Sequence, residues 1–181
     1  MDFFHWTTKI VSRNKGKSAV AASAYISGTR MENTWDGVTH DYTRKKHVIY
    51  TEVMLPPNAP QEYADRSLLW NSVEWNETKA NAQLARSIEL ALPAELNHEQ
   101  NIALVRKLVQ KLFVDKGMCA DIAFHDKGDG NPHSHPADHA PTDARGQVGR
   151  QEPVGVHPGC GWQPHPCQAE RPLENTKGLY N

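Results

Sequence analysis

Residues 118–135, MCADIAFHDKGDGNPHSH, constrain the fold of this chain more than any other stretch. MCADIAF reads as a mostly apolar strand that delivers His125 at its end. The following DKGDGNP is built from turn-forming residues, so the chain must reverse and lay HSH against the strand it has just left. In extended backbone alternate side chains share a face. His133 and His135 therefore point the same way, and His125 on the neighbouring strand end can join them. Three neutral imidazoles on one face can hold a single ion and leave positions open for water or substrate oxygens. The same spacing also suits solvent-exposed loop histidines, because the chain has 10 histidines in all.

The other elements surround this hairpin. FFHWTTKIV, residues 3–11, is aromatic and β-branched and reads as a strand. A basic turn over residues 12–17 follows it. Ser18 then caps a short alanine-rich helix, AVAASAYIS, that stops at Gly28. Tyr25 falls near the end of that helix. Residues 30–46 are polar without a clear period and read as an exposed loop. HVIYTEVM, residues 47–54, returns to strand, and residues 61–84 suggest one or two helices packed on the surface. SIELAL, residues 87–92, alternates as a strand and puts Glu89 on its polar face. Asn97 opens an amphipathic helix with Gln100 in capping-box position and Ile102, Leu104, Val105, Leu108, Val109 and Leu112 on the buried side. These elements predict an α+β fold, a central antiparallel or mixed sheet flanked by helices.

Charge narrows the partner class only locally. The net charge is −1 and the pI about 6.8, which excludes a uniformly basic nucleic-acid-binding domain. Within residues 1–30, however, Lys9, Arg13, Lys15, Lys17 and Arg30 face Asp2 alone. That grouping suits either phosphate contact or a solvated loop. Cys119, Cys160 and Cys167 contain no CxxC pair, so neither a disulfide framework nor a zinc ribbon is indicated, and a reducing cytoplasm fits. No run of about 18 apolar residues and no signal-peptide core is present, and the chain reads as soluble.

Composition changes after His135. Residues 136–181 hold seven of the twelve prolines and six of the twelve glycines, too little apolar surface to offset their ordering entropy. The expected division is a domain over 1–135 and a disordered tail over 136–181. Pro136 cannot donate a backbone hydrogen bond, so a central strand is expected to end there. His157, Cys160, His165 and Cys167 cluster in the tail but match no zinc template.

FHWTTKIVSRNKGKSAVAASAYISG, LARSIELALPAELNHEQ and GMCADIAFHDKGDGNPHSH, in that order and spacing, resemble the MobA/MobL family of plasmid mobilisation relaxases within the HUH endonuclease superfamily. The resemblance covers about residues 1–135. It implies a sheet carrying the histidines and a nucleophilic tyrosine on an N-terminal helix. Matched residue by residue, Tyr25 stands for the nucleophile and His125, His133 and His135 for the metal ligands, holding Mg²⁺ or Mn²⁺. Glu89 matches a recurring acidic position, where it would accept the phenolic proton, hold a histidine ring, or form a surface salt bridge. Lys9, Arg13, Lys15 and Lys17 would contact DNA phosphates. Tryptophans would stack on unpaired bases.

The implied activity is metal-assisted nicking of one DNA strand at a plasmid transfer origin through a 5′-phosphotyrosine link. The implied partners are single-stranded DNA and accessory mobilisation proteins. Two alternatives stay open, a rolling-circle replication initiator and an inactive DNA-binding remnant. The second follows from the break expected at Pro136, where family-like sequence would end by truncation or frameshift.

Overall fold

The computed structural model describes residues 5–128, 130 and 132–139. The tail beyond them, with its four-residue His/Cys cluster, lies outside the described residues.

Strand β1 (Trp6–Ser12) runs into a 3-10 turn at Arg13–Lys15. Helix α1 (Ala19–Ser27) starts where the Ser18 side chain accepts the Ala21 amide. It ends at Gly28, whose φ of 65° lies in the left-handed region. A Cβ on Gly28 would also sit 3.1 Å from Val48 Cγ2. Conformation and close packing thus both demand glycine at this helix end.

Residues 30–46 are not simply a loop. They form a hairpin, β2 (Arg30–Asn33) and β3 (Val38–Asp41), turned at Gly37. In β2 only Met31 and Asn33 are buried, so the pair carries too few apolar positions for alternation to show. Next come β4 (Val48–Met54), a 3-10 turn at Gln61–Ala64, and α2 (Arg66–Asn76), which Asp65 caps. Strand β5 (Gln83–Ala91) begins four residues before the alternating SIELAL segment, because a register shift at Val11/Ser12 interrupts its pattern opposite β1.

Helix α3 (His98–Leu112) carries the full Asn97/Gln100 capping box. Val105 and Val109 are buried on it, with Ile102, Leu108 and Leu112 packed beside them. Leu104, expected on that side, is 43% exposed. It lies about 100° around the helix from Val105, and buried Asn101 takes part of the inward face instead. Strand β6 (Cys119–His125) is buried along its whole length. Cys119 is a free, buried thiol, and burial pushes its pKa up to about 11.

The main sheet runs β1-β5-β7-β6-β4, where β7 is His133–Ser134. Among the described residues every strand pairing in it is antiparallel. The α1 and α2 helices share one core with Val11, Ala85, Ala123 and Ala137. Helix α3 shares the other with Ile88, Leu90, Ile122 and Phe124. The expected α+β sandwich is the observed fold. Among the described residues no helix is long and apolar enough to cross a membrane.

Pro136 does not end the central strand. A further strand, β8 (Ala137–His139), continues β7 between β5 and β6. The register is unchanged across the proline: Ser134 pairs with Phe124 and Ala137 with Asp121, while Ser134 pairs with Leu90 and Ala137 with Ser87. Around the proline, His135 exchanges both backbone bonds with Ala123, and Pro136 O accepts from the Ile88 amide at 2.8 Å. The single ladder bond given up is the one Pro136 nitrogen would return to Ile88, worth about 1 kcal/mol. One lost bond between two well-paired neighbours does not break a strand. The sheet therefore continues past residue 135, where the strand was expected to end.

Candidate metal centre and nucleophile

His125 is the last residue of β6 and pairs directly with His133. His135 follows on the same face of the strand. The ring centroids lie 5.6 Å apart for His125 and His133, 4.7 Å for His125 and His135, and 5.0 Å for His133 and His135. Each ring offers a nitrogen, and the three nitrogens lie within 4.8 Å of one another. Metal–nitrogen bonds of about 2.0–2.1 Å bring such atoms somewhat closer, a change within reach of side-chain rotation.

The donor set suits a cation. The Ile26 carbonyl lies 2.6 Å from His125 Nε2, and because a carbonyl only accepts, Nε2 carries the proton and Nδ1 keeps its lone pair. This is the outer contact that fixes the tautomer and orientation of a ligating histidine. Burial holds His125 down at about 4, with Lys45, His133 and His47 adding to the effect against the Ile26 hydrogen bond. Burial likewise holds His135 down at about 3, helped by His125, His133, Lys45 and Lys9. Both rings are neutral at physiological pH, the form that binds metal.

The carbonyl that orients His125 belongs to the last turn of α1, one residue after Tyr25. Tyr25 is 51% exposed. Tyr42 meets its ring edge-on at 5.3 Å. Lys45 Nζ sits 3.9 Å from the ring centroid and donates to the Tyr25 carbonyl at 2.9 Å.

Helix α1 is anchored to β6 at a second point. The Ser23 hydroxyl donates to buried Asp121 at 2.6 Å. Trp70 Nε1 and the Arg66 guanidinium, both from α2, complete the shell of that carboxylate. At the helix start, the Ala19 amide donates to buried Glu74 at 2.7 Å. These anchors fix the helix that carries Tyr25 against the strand that carries His125.

The remaining expected residues lie differently. Glu89 forms an exposed ion pair with Lys9 at 3.6 Å, the surface salt bridge among its alternatives. Arg13, expected at DNA phosphates, is engaged within the fold. Its guanidinium donates to the Glu74 and Glu77 carbonyls, pairs with the Glu74 carboxylate and stacks over Trp35. Lys15 and Lys17 are exposed, but both precede the start of α1, whereas Tyr25 lies in its last turn. The cations whose fields reach the histidines are Lys9 and Lys45, and Lys127 acts in turn on Lys45. In the sequence Lys45 stands near the end of the polar 30–46 stretch and Lys127 in the turn after His125. Nothing in their spacing ties them to the histidines, because the hairpin that returns Lys45 to α1 buries too few side chains to mark itself in the sequence.

Residues 17–136 match the model of the MobA/MobL family. The conjugal transfer protein TraA of Rhizobium radiobacter is 44% identical over 145 residues, covering 75% of this chain. The probable mobilization protein MobA of Bifidobacterium longum is 38% identical over 75% of this chain. The chain spans 13% of the former's length and 24% of the latter's. A solved structure described as "Molecular Basis of Vancomycin Resistance Transfer in Staphylococcus aureus" superimposes with a TM-score of 0.74 at 33% identity, over 82% of this chain and 76% of that one.

Proposed function

Because this chain belongs to the MobA/MobL family, we propose that it is the nicking part of a conjugal relaxase, acting on single-stranded DNA at a transfer origin, with accessory mobilisation proteins as further partners. One observation carries the reading: the carbonyl that orients His125 lies on the helical turn that carries Tyr25. That short contact ties the helical turn carrying the exposed phenol to one ring of the histidine cluster.

The Tyr25 hydroxyl attacks a backbone phosphorus. Its Oη–P bond forms and the P–O3′ bond breaks, leaving a 5′-phosphotyrosine and, after proton uptake from water, a free 3′-hydroxyl. The phenolic proton leaves to water, and Glu89, held by Lys9 on this face of the sheet, is a carboxylate able to take it up. Since the phosphodiester is exchanged rather than hydrolysed, attack by a 3′-hydroxyl rejoins the strand. A divalent cation bound by His125, His133 and His135 would polarise the scissile phosphate and balance its charge. All-imidazole ligation favours Mn²⁺ over the harder Mg²⁺. Lys9 and Lys127 supply positive charge beside the site for the DNA backbone. Lys15 and Lys17 would meet the strand further along, and Arg13 is no longer part of the contact set. The inactive-remnant reading rested on a strand broken at Pro136, and the unbroken register across it removes that support.

The test incubates the chain with Mn²⁺ and single-stranded oligonucleotides that tile the replicon carrying its gene, followed by intact-mass analysis. The expected result is a covalent adduct that is lost in Tyr25→Phe and on chelation. An adduct that survives Tyr25→Phe, or none with any oligonucleotide, would overturn the reading.

A further inference from the structure

The last carbonyls of a helix lack intrahelical donors, and two successive ones at the end of α1 are taken by different parts of the molecule. Ile26 O accepts from His125 on the sheet. Tyr25 O accepts from Lys45 Nζ, in the segment that joins the hairpin to β4. That segment is fixed where it crosses the helix end. Lys45 N donates to Tyr42 O at 3.0 Å, and a Cβ on Gly28 would lie 3.6 Å from Lys45 Cβ. From this base the ammonium reaches both the carbonyl and the ring face of the same tyrosine.

Three forces favour this placement. A cation is stabilised at a helix C-terminus, a cation over an aromatic face gains further, and the charged hydrogen bond fixes the direction. Tyr25 is therefore not a loose surface ring: Lys45 holds one face and Tyr42 meets it edge-on. Burial, with Lys127 nearby, pushes the Lys45 pKa down, a cost consistent with an ammonium kept in place by its contacts.

We propose that Lys45 is the positioning residue of the Tyr25 nucleophile, fixing the phenol's direction and stabilising the phenolate charge that spreads into its ring as the proton leaves and before Oη attacks phosphorus. The inference rests on the reading of Tyr25 as nucleophile. A fixed cation facing the charge that develops on deprotonation needs no reorganisation when the phenolate forms.

The full chain with Lys45→Met keeps the aliphatic stem and loses the charge; Lys45→Arg keeps the charge. Two readouts separate the contact from the chemistry. Without DNA, the Tyr25 ring resonances, assigned through Tyr25→Phe, are expected to shift in Lys45→Met and to return towards wild type in Lys45→Arg. With saturating oligonucleotide and Mn²⁺, adduct formation is expected to slow about 5- to 30-fold in Lys45→Met, with DNA Kd within about twofold and partial rescue by Lys45→Arg. Unmoved ring resonances in Lys45→Met would overturn the proposal. So would a weakened Kd at unchanged rate, which would make Lys45 a phosphate contact only. If the resonances respond but the wild-type chain forms no adduct, the nucleophile reading fails and this proposal falls with it.

Discussion

On the α3 side of the sheet, Ile88, Leu90, Ile122 and Phe124 meet Val105 and Val109 in an apolar core, with the Arg86–Asp138 pair towards one end. On the α1/α2 side an apolar core of similar make-up is interrupted by buried polar contacts: Glu74 at the start of α1, Asp121 at its middle and His125 at its end. Apolar burial is non-directional. It holds a helix on a sheet but tolerates small slides and rotations. Short hydrogen bonds to buried charges do not, and losing one partner is costly. The α3 side thus contributes mainly stability, while the α1/α2 side contributes stability and a fixed place for Tyr25.

The sharpest way to break this contrast is to disable the site without touching either core. His135→Ala is expected to lower Mn²⁺ affinity and adduct formation by at least about 100-fold, beyond the 10- to 100-fold seen when only an outer contact is lost, with an unchanged circular-dichroism spectrum. A spectrum that collapses would mean that the cluster is part of the structural core.

Next in size comes a matched pair across the two faces. Leu90→Ala is expected to cost about 2–5 kcal/mol in urea unfolding, and Asp121→Ala about 3–5 kcal/mol by stranding Arg66. At a temperature where both are folded, Leu90→Ala should keep the adduct rate within a few-fold of wild type, and the Asp121 variant should not. Ser23→Ala, which removes one contact of that carboxylate, provides the milder version. Equal rate losses on the two faces would remove the distinction.

A further contrast concerns pH. His125 and His135 titrate at about 4 and about 3 when folded, against 6.5 otherwise. Between those limits the unfolded chain binds more protons, so stability rises with pH there. Metal-free protein is expected to hold this contribution in full above pH 6.5 and lose it as pH falls towards 4 and 3. Replacing both residues with Gln should flatten the acid limb of a thermal-melt profile, whereas Leu90→Ala should shift the profile without flattening it.

The contrast between the faces also explains what was readable in the sequence. Helix α3 was readable from its period and capping box, and α1 from Ser18 and Gly28, because those signals are local. The histidine cluster was readable because strand alternation and one turn suffice to assemble it. The β2–β3 hairpin was not, having only two buried side chains in its first strand. Asp121, Glu74 and Lys45 gave no local signal: their partners lie 98, 55 and 20 residues away in the chain. Pro136 misled because the rule against proline in a central strand counts its own missing donor, and here the neighbours on both sides outweigh it.

The central claim is that three histidines and Tyr25 form one centre. Manganese broadens nearby nuclear resonances, so a titration of the chain with Mn²⁺ that follows the Tyr25 ring signals tests metal position and nucleophile position together. The expected result is stoichiometric broadening of those signals that disappears in His135→Ala. Tyr25 signals that stay sharp at one equivalent of bound Mn²⁺, or broadening that persists without His135, would contradict it.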